Sequence, residues 1–581
     1  MSTTENANTG AEDGEQEKSA KKSVATLLVE MAGARYRLGL SEEGEPFAVE
    51  RDGPNVALML RGGRSSLRAS LAKSYMASTG KVASAGALAD ALMALEGMAN
   101  GEDPVPLPLR VTSPYPDHVL IDLGDTAGRV VLVSPEGWEV LARSRLTFRR
   151  TALTMPLPVP QRSTFDLMGL RMLNVSEKSW PLVVGWLVAA LIPDIPHPVL
   201  MPKGEQGTGK TTAASFLARM IDPSPAPVRA APRDLEQWAV AASGSYVVAL
   251  DNLSGIAPWM SDALCRASTG EGLVRRALYT DGDLSVLRFR KAVILTAIDA
   301  GALRGDLADR LVTLELERIE PEHRRTDADL EADFTRQHPI LFGALLDLLA
   351  RVLDELRYVH LPNLPRMADF AKVLAALDAT TGRGDACDAS GALNHYLGQS
   401  EELAGDVIAG DPVAAAVADL AVRTTTWTGT AASLLEVLTP DPRPKGWPGA
   451  PHVLTGQLKR AAPALRTTGV EVDFSRVGRR RIITITARTE KPRNQASQAS
   501  QASSAQSSQG IRGDAPNGNG DAPPDQASPP MPKRHTERHH ETAGQTPSDA
   551  CDAPIRPSSV VDTDSYENDY ADLFAQAEVD P

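Results

Sequence analysis

Apolar residues recur along this chain with two different periods, and each change of period marks a new unit. VATLLVEMA (24–32) and ALADALMALEGMA (87–99) repeat every three to four residues, the spacing of one helical face. LPLRVTS, HVLIDLG and RVVLVS, between 107 and 134, are short apolar runs bounded by turn residues and read as strands. Residues 23–160 are therefore expected to form an N-terminal α/β domain. It ends in TALTMPLPVPQ, whose prolines at 156, 158 and 160 make a stiff extended connector. From 161 to 335, HPVLM, SYVVAL, KAVILTAI and RLVTLEL alternate with helical segments, which predicts a mostly parallel sheet covered on both faces. PILFGALLDLLARVLDELRYV is the clearest amphipathic segment of a helical region spanning 336–410. Residues 411–490 read helix (AASLLEVL), helix (LTGQLKRAAPALRTTG), then a hairpin in VEVDFSRVGRRRIITITAR. Two helices before a hairpin with a basic tip make a winged-helix pattern, with Arg476 to Arg481 as the wing.

Composition adjusts this picture at the ends. Of 581 residues 42% are hydrophobic and the net charge is −14, so the chain has enough apolar surface for two to four cores. Residues 1–22 are polar and acidic, and 491–581 run through QASQASQASSAQSSQ and GDAPNGNGDAPPDQASPP; both tails are expected to be disordered. The C-terminal TDSYENDYADLFAQAEVDP interleaves acids with Tyr566, Tyr570, Leu573 and Phe574. It reads either as a short helix docking a partner or as inert tail. Three widely spaced cysteines, Cys265, Cys387 and Cys551, exclude a disulfide framework and a four-cysteine zinc site. The start has no basic-then-apolar signal, and WPLVVGWLVAALI (180–192) is too short to span a bilayer. A cytoplasmic protein away from membranes is expected.

The candidate chemistry begins at Gly204-Glu205-Gln206-Gly207-Thr208-Gly209-Lys210-Thr211-Thr212, between an apolar run and a helix former. Its glycines free the backbone to aim N–H groups at phosphate oxygens. Lys210 supplies charge to the β- and γ-phosphates, and the Thr211 hydroxyl suits Mg²⁺. The helix N-terminus that follows favours an anion. These residues predict ATP and Mg²⁺ as cofactors. Asp251, ending Tyr246–Leu250, is the expected second Mg²⁺-side acid. Asn252 follows it where a water-activating glutamate is usual, so another group, Glu271 or Glu205, must act or hydrolysis is slow. Thr296, ending Ala292–Leu295, reads as a positioner of the attacking water or as an ordinary strand-end threonine. Arg310, in DLADR before LVTLEL, reads as a charge reaching a neighbouring subunit's γ-phosphate or as a local ion pair with Asp306 or Asp309. Asp122 and Asp125 in HVLIDLGD read as turn residues rather than a metal pair.

With these elements the core resembles AAA+ ATPases, and among them the superfamily-three-like helicases of phages, plasmids and integrative elements; the segment from Asp262 to Arg310 carries the resemblance. It implies an AAA+-like P-loop NTPase core, a replicative helicase or initiator of a mobile element, a homo-oligomer in the form of a hexameric ring, and DNA as partner. It also implies a basic hairpin between the acid-bearing strand and the next, which places Arg275, Arg276, Arg288, Arg290 and Lys291 on DNA. The same arginines also read as surface ion pairs with Glu271, Asp281 and Asp283. A second DNA-binding surface is expected at Lys459, Arg460, Arg479, Arg480 and Arg481. Residues 420–490 hold eleven Lys or Arg against five Asp or Glu. Asn252 keeps open an alternative, an ATP-switched DNA-binding regulator or loader with little hydrolysis.

Overall fold

A computed structural model of the chain describes residues 22–488, apart from 62–65, 163–166, 254, 272, 277–283, 288–289, 298–304, 382–388, 445 and 479; for 273–276, 284–287, 305 and 381 it describes the backbone alone. Apart from Lys22, the two tails with the aromatic docking segment lie outside the described residues, as do Arg288 and Arg479.

The chain begins with α1 (Val24–Arg35), β1 (Tyr36–Ser41), β2 (Pro46–Glu50), β3 (Val56–Met59), α2 (Leu67–Thr79), α3 (Ala85–Ala99) and β4 (Pro104–Val105). Ser23 caps α1 by accepting the Thr26 N–H at 3.1 Å. The three helices cover a sheet of order β4-β1-β2-β3-β9, with Leu28, Leu67, Leu71 and Leu95 at its centre. Next come β5 (Val111–Thr112), β6 (Val119–Asp122), β7 (Val130–Ser134), β8 (Gly137–Leu141) and β9 (Phe148–Arg149).

Strands β5 to β8 form an antiparallel sheet of their own, and its inner residues Val119, Val131, Val133 and Trp138 join the main core rather than the N-terminal one. Residues 23–160, expected as one unit, thus serve two cores. An apolar run such as RVVLVS says that a strand is buried but not by what. Asp122 and Asp125 are turn and ion-pair residues. Asp122 accepts from Gly124 N–H and from Arg150, and Asp125 pairs with Arg129.

The main core follows: α4 (Trp180–Ala190), β10 (Val199–Lys203), α5 (Lys210–Ile221), β11 (Val228–Ala230), α6 (Leu235–Ser243), β12 (Val247–Leu253), α7 (Pro258–Thr269), β13 (Leu273–Arg276), β14 (Leu284–Leu287), β15 (Ala292–Ala297), α8 (Gly305–Ala308) and β16 (Leu311–Glu315). β11, β12, β15, β10 and β16 form one sheet in that order, all neighbours parallel. Helices on both faces bury the strands on both sides, which is why they read as unbroken apolar runs. Every residue of α4 is buried, so the longest apolar run is a core helix; no helix of the described residues is long and apolar enough to cross a membrane.

The helical region contains α9 (Asp327–Leu356), α10 (Ala368–Thr381) and α11 (Ala392–Gly410). The proline-rich connector crosses α9 at Gly343, where a Cβ would stand 1.9 Å from the Gln161 carbonyl oxygen, and Gln161 N–H donates to Pro339 O at 2.9 Å. Gln399 of α11 closes the open edge of β16: its amide accepts from Thr313 N–H (2.8 Å) and donates to Thr313 O (2.6 Å), taking the place of a further strand. Last come α12 (Pro412–Thr424), β17 (Thr426–Gly429), α13 (Ala431–Leu438), α14 (Pro451–Thr467), β18 (Val470–Val477) and β19 (Arg480–Ala487), with the strands in the order β17-β19-β18. Their core takes in Ala404 and Ile408, so α11 is shared with the main body.

Two buried imidazoles make this fold sensitive to acid. His197, before β10, is pushed down to about 3 by desolvation and by the nearby Arg290 charge. His338, tilted against Phe334 and edge-on to Phe342 in α9, is pushed down to about 4, chiefly by desolvation. Both are neutral when folded and take up protons more readily when unfolded, so their stability contribution is complete above about pH 6.5 and falls as pH drops toward 4. The partly buried carboxyls of Asp309, Asp347 and Asp378 are shifted upward by desolvation and act in the opposite sense. Comparison of wild type with His338→Phe isolates the imidazole: the variant is expected to lose less stability between pH 6.5 and 4.5, and equal slopes would refute the assignment.

Candidate nucleotide site and basic surface

The P-loop residues 204–209 link the end of β10 to the start of α5. Gly207 and Gly209 have φ of +85° and +84°, where side-chain-bearing residues are strained. At Gly204 a Cβ would stand 2.7 Å from Thr208 Oγ1 and 3.0 Å from Leu316 O, so the loop closes only on a bare backbone there. The buried Thr208 hydroxyl donates to Glu205 O at 3.0 Å. Lys210 Nζ donates to Gly204 O and Glu205 O, both at 2.7 Å, and its ammonium thus lies across the mouth of the loop. Glu205, Gln206 and Thr211 are exposed around it and Thr212 is partly buried in the first turn of α5.

Parallel pairing carries the ends of β12 and β15 to the same edge of the sheet. Thr211 Oγ1 lies 3.0 and 3.1 Å from the two Asp251 carboxylate oxygens. Thr296, buried on β15 between β10 and β12, donates to Asp251 Oδ1, while its Oγ1 accepts from Asn252 N–H at 2.9 Å. One hydroxyl–carboxylate–hydroxyl chain therefore joins the first turn of α5 to two strand ends, with spacings of 40 and 45 residues in sequence. Asn252 is exposed, with φ +58°, where β12 slips its register against β15 between Leu250 and Leu253. Asparagine tolerates this left-handed conformation better than glutamate. Its backbone geometry, not only its side chain, thus differs from a strand-end base.

Other expected site residues lie elsewhere. Glu271 follows α7, whose last turn meets the starts of β10 and β15: His197 N–H donates to Ser268 O and Lys291 N–H to Ala267 O. Glu271 is thus at the opposite edge of the sheet from the P-loop and cannot serve as its base within one chain. Arg310 precedes Leu311, which pairs with Val199 at the start of β10, so it too lies at that far edge. It is 7% exposed and donates to Asp306 Oδ1 and O at 2.7 and 2.8 Å. Of its two readings the local ion pair is the one formed. A charged guanidinium enclosed beside α7 needs a carboxylate partner, and Asp306, held below the usual carboxylate range despite desolvation by its bonds to Arg310, supplies it.

A hairpin, β13 with β14, occupies the interval between β12 and β15. The side chains of Arg275 and Arg276 lie outside the described residues. Lys291 does not belong to an exposed patch: it is 5% exposed, and desolvation lowers its ammonium to about 8. Arg290 is partly buried and donates to Pro193 O at 3.3 Å, so both residues anchor the hairpin's base rather than its surface.

The C-terminal unit differs. Lys459 and Arg460 are exposed on α14, and Arg476, Arg480 and Arg481 are exposed on the β18–β19 hairpin, whose turn contains Gly478 at φ +62°. None of these five makes a salt bridge or hydrogen bond among the described residues, although Arg466 and Arg488 nearby both pair with Glu471. Arg476 stands directly opposite Arg481 in the ladder, an arrangement of like charges that costs stability when no anion lies between them. Sequence reading singled out the arginine turn but missed Phe474, over whose ring Lys459 Nζ lies 5.6 Å from the centroid. The alternation Val470, Val472, Phe474 was its signal.

No curated protein matches the chain. Among solved structures, the apo C-terminal region of NrS-1 is similar at 12% identity and a TM-score of 0.36, covering 80% of this chain and 99% of that one. JCV helicase is similar at 12% identity and a TM-score of 0.21, covering 42% of this chain and 66% of that one. These loose likenesses carry no chemistry over to this chain. Residues 166–397 match the family described as the actinomycete integrative conjugative element replication protein, and residues 413–504 match the C-terminal domain of that same family. On these two adjoining matches, which together cover more than half of the chain, the protein belongs to the replication proteins of actinomycete integrative conjugative elements.

Proposed function

We propose that this replication protein is an ATP-driven DNA motor, with an AAA+-like P-loop core and a winged-helix unit that holds DNA. The observation that carries the reading is the joining of Thr211, Asp251 and Thr296 beside Lys210 at one sheet edge. The strand order, with Thr296 on the strand between the P-loop strand and the acid strand, supports it. The residues fit Mg²⁺–ATP. The bare loop backbone and Lys210 suit phosphate oxygens, and the Thr211 hydroxyl with the Asp251 carboxylate is a hard oxygen donor set. Bound Mg²⁺ would neutralise charge on the β- and γ-phosphates. Lys210 would leave its two carbonyls for phosphate, and Thr296 would hold Asp251 in place. In the C-terminal unit, the order helix, strand, two helices and hairpin supports the winged-helix reading, and its five exposed cations, which have no salt bridge among the described residues, suit a phosphate backbone. Assembly of copies into a hexameric ring belongs to the same proposal, with the arginine supplied across subunits being one other than Arg310.

The second reading, an ATP-switched regulator or loader, is favoured by Asn252. Both are tested on the purified full chain with Mg²⁺–ATP and a forked duplex. The motor predicts DNA-stimulated hydrolysis on the order of 1 s⁻¹ or faster, together with strand displacement. Hydrolysis without displacement removes the motor reading, and tight ATP binding with rare turnover favours the switch.

A further inference from the structure

The β18–β19 hairpin has two unlike faces, and the pairing register determines which residue lies on each. Side chains alternate along a strand, and directly paired residues share a face. The pairs Val472↔Ile485, Phe474↔Ile483 and Arg476↔Arg481 therefore form one face. Val472, Ile483 and Ile485 are buried in the unit's core, so this is the face turned toward α14. The pairs Glu471↔Thr486, Asp473↔Thr484, Ser475↔Ile482 and Val477↔Arg480 form the other. Both carboxylates of the hairpin thus fall on the outer face. The inner face beyond the core holds only Arg476, Arg481 and the Phe474 ring, with Lys459 above that ring.

Phe474 is 39% exposed, at the point where the ribbon leaves the core. Phosphate contact accounts for the cations but has no use for an exposed ring among them. Unpaired bases stack on aromatic side chains whatever their sequence, whereas the faces of paired bases are already covered by their neighbours.

We propose that the surface formed by α14 and the inner face of the hairpin binds single-stranded DNA, with Phe474 stacking on an unpaired base and Lys459, Arg476 and Arg481 on the flanking phosphates. This rests on the DNA-binding reading above and adds the strand state of the ligand and the residue that selects it.

The test measures full-chain binding to a fluorescein-labelled oligothymidylate and to a duplex of the same length, by anisotropy, across a salt series. Phe474→Ala is expected to weaken single-strand binding about 5- to 100-fold with an unchanged salt slope, while duplex binding changes less than about twofold. Phe474→Trp is expected to restore the affinity and Phe474→Leu not to, which separates stacking from mere apolar filling; thermal melts check that each variant folds. Alanine at Lys459, Arg476 or Arg481 is expected to flatten the single-strand salt slope by about 0.7 each. The proposal is overturned if Phe474→Ala holds the single strand as wild type does, if Phe474→Leu matches Phe474→Trp, or if single-strand and duplex affinities fall together. A wild-type chain that binds neither DNA form overturns the DNA-binding reading as well. A chain that binds duplex alone overturns only this inference.

Discussion

Replacing Lys210 with alanine is expected to lower ATP turnover by at least two to three orders of magnitude, the loss typical when a preorganised charge or donor is removed from a developing anion. Lys210 places its ammonium across the mouth of the loop, and its two bonds run to the loop's own carbonyls. No buried partner depends on it. Thermal stability should therefore stay within about 0.5 kcal/mol of wild type, as for ordinary surface changes. Steady-state hydrolysis and a calorimetric melt on the same preparation separate the two effects. A variant that keeps a tenth or more of wild-type turnover at saturating ATP would remove the P-loop from the proposed chemistry. A variant that loses turnover because it has unfolded would show in the melt.

Arg110→Ala is expected to be the most destabilising single change in the fold, at about 3–5 kcal/mol for breaking a buried ion pair. Arg110 is 0% exposed; its Nε donates to Asp222 Oδ1 at 2.9 Å, and its two terminal nitrogens donate to Asp122 O and Met155 O at 2.9 and 2.8 Å. The other Asp222 oxygen accepts from the N–H groups of Tyr246 and Val247, at the start of β12. One guanidinium thus ties the antiparallel sheet, the connector and the parallel sheet together. Its removal leaves the Asp222 charge buried with only backbone donors. Denaturant unfolding of the single variants and of Arg110→Ala/Asp222→Ala checks the assignment. The double variant should cost clearly less than the sum of the two singles, because the residues act as a pair. A loss below about 1 kcal/mol for Arg110→Ala would show that water or a neighbour replaces it.

The glycine-rich loop between β10 and α5 was legible because it is contiguous in sequence. Eight successive residues form the cradle, and the flanking strand and helix follow from periods of the same local stretch. The site's remaining half was legible as strand ends only. Asp251 and Thr296 were found as polar residues closing apolar runs, but their meeting depends on β15 lying between β10 and β12, a matter of sheet order. Lys291 was misplaced, and Arg310 was left with two readings, for a related reason. A basic residue beside a strand looks the same in sequence at either edge of the sheet, and only the helices packed there decide whether it is exposed. The N-terminal unit was read as one because strand periodicity carries no record of which core receives each face.

The sequence by itself determined the local matters: where the glycine-rich loop lies, which runs become strands or helices, and that Phe474 and Arg476 share a face of their strand. These follow from short-range sterics and from periods of two and 3.6 residues. Only the tertiary structure decided that α14 covers that face, that Arg481 stands opposite Arg476 on it, and that Arg110 meets Asp222 across 112 residues of chain. Those outcomes come from packing between distant elements, where desolvation and geometry select one partner among many of equal local propensity.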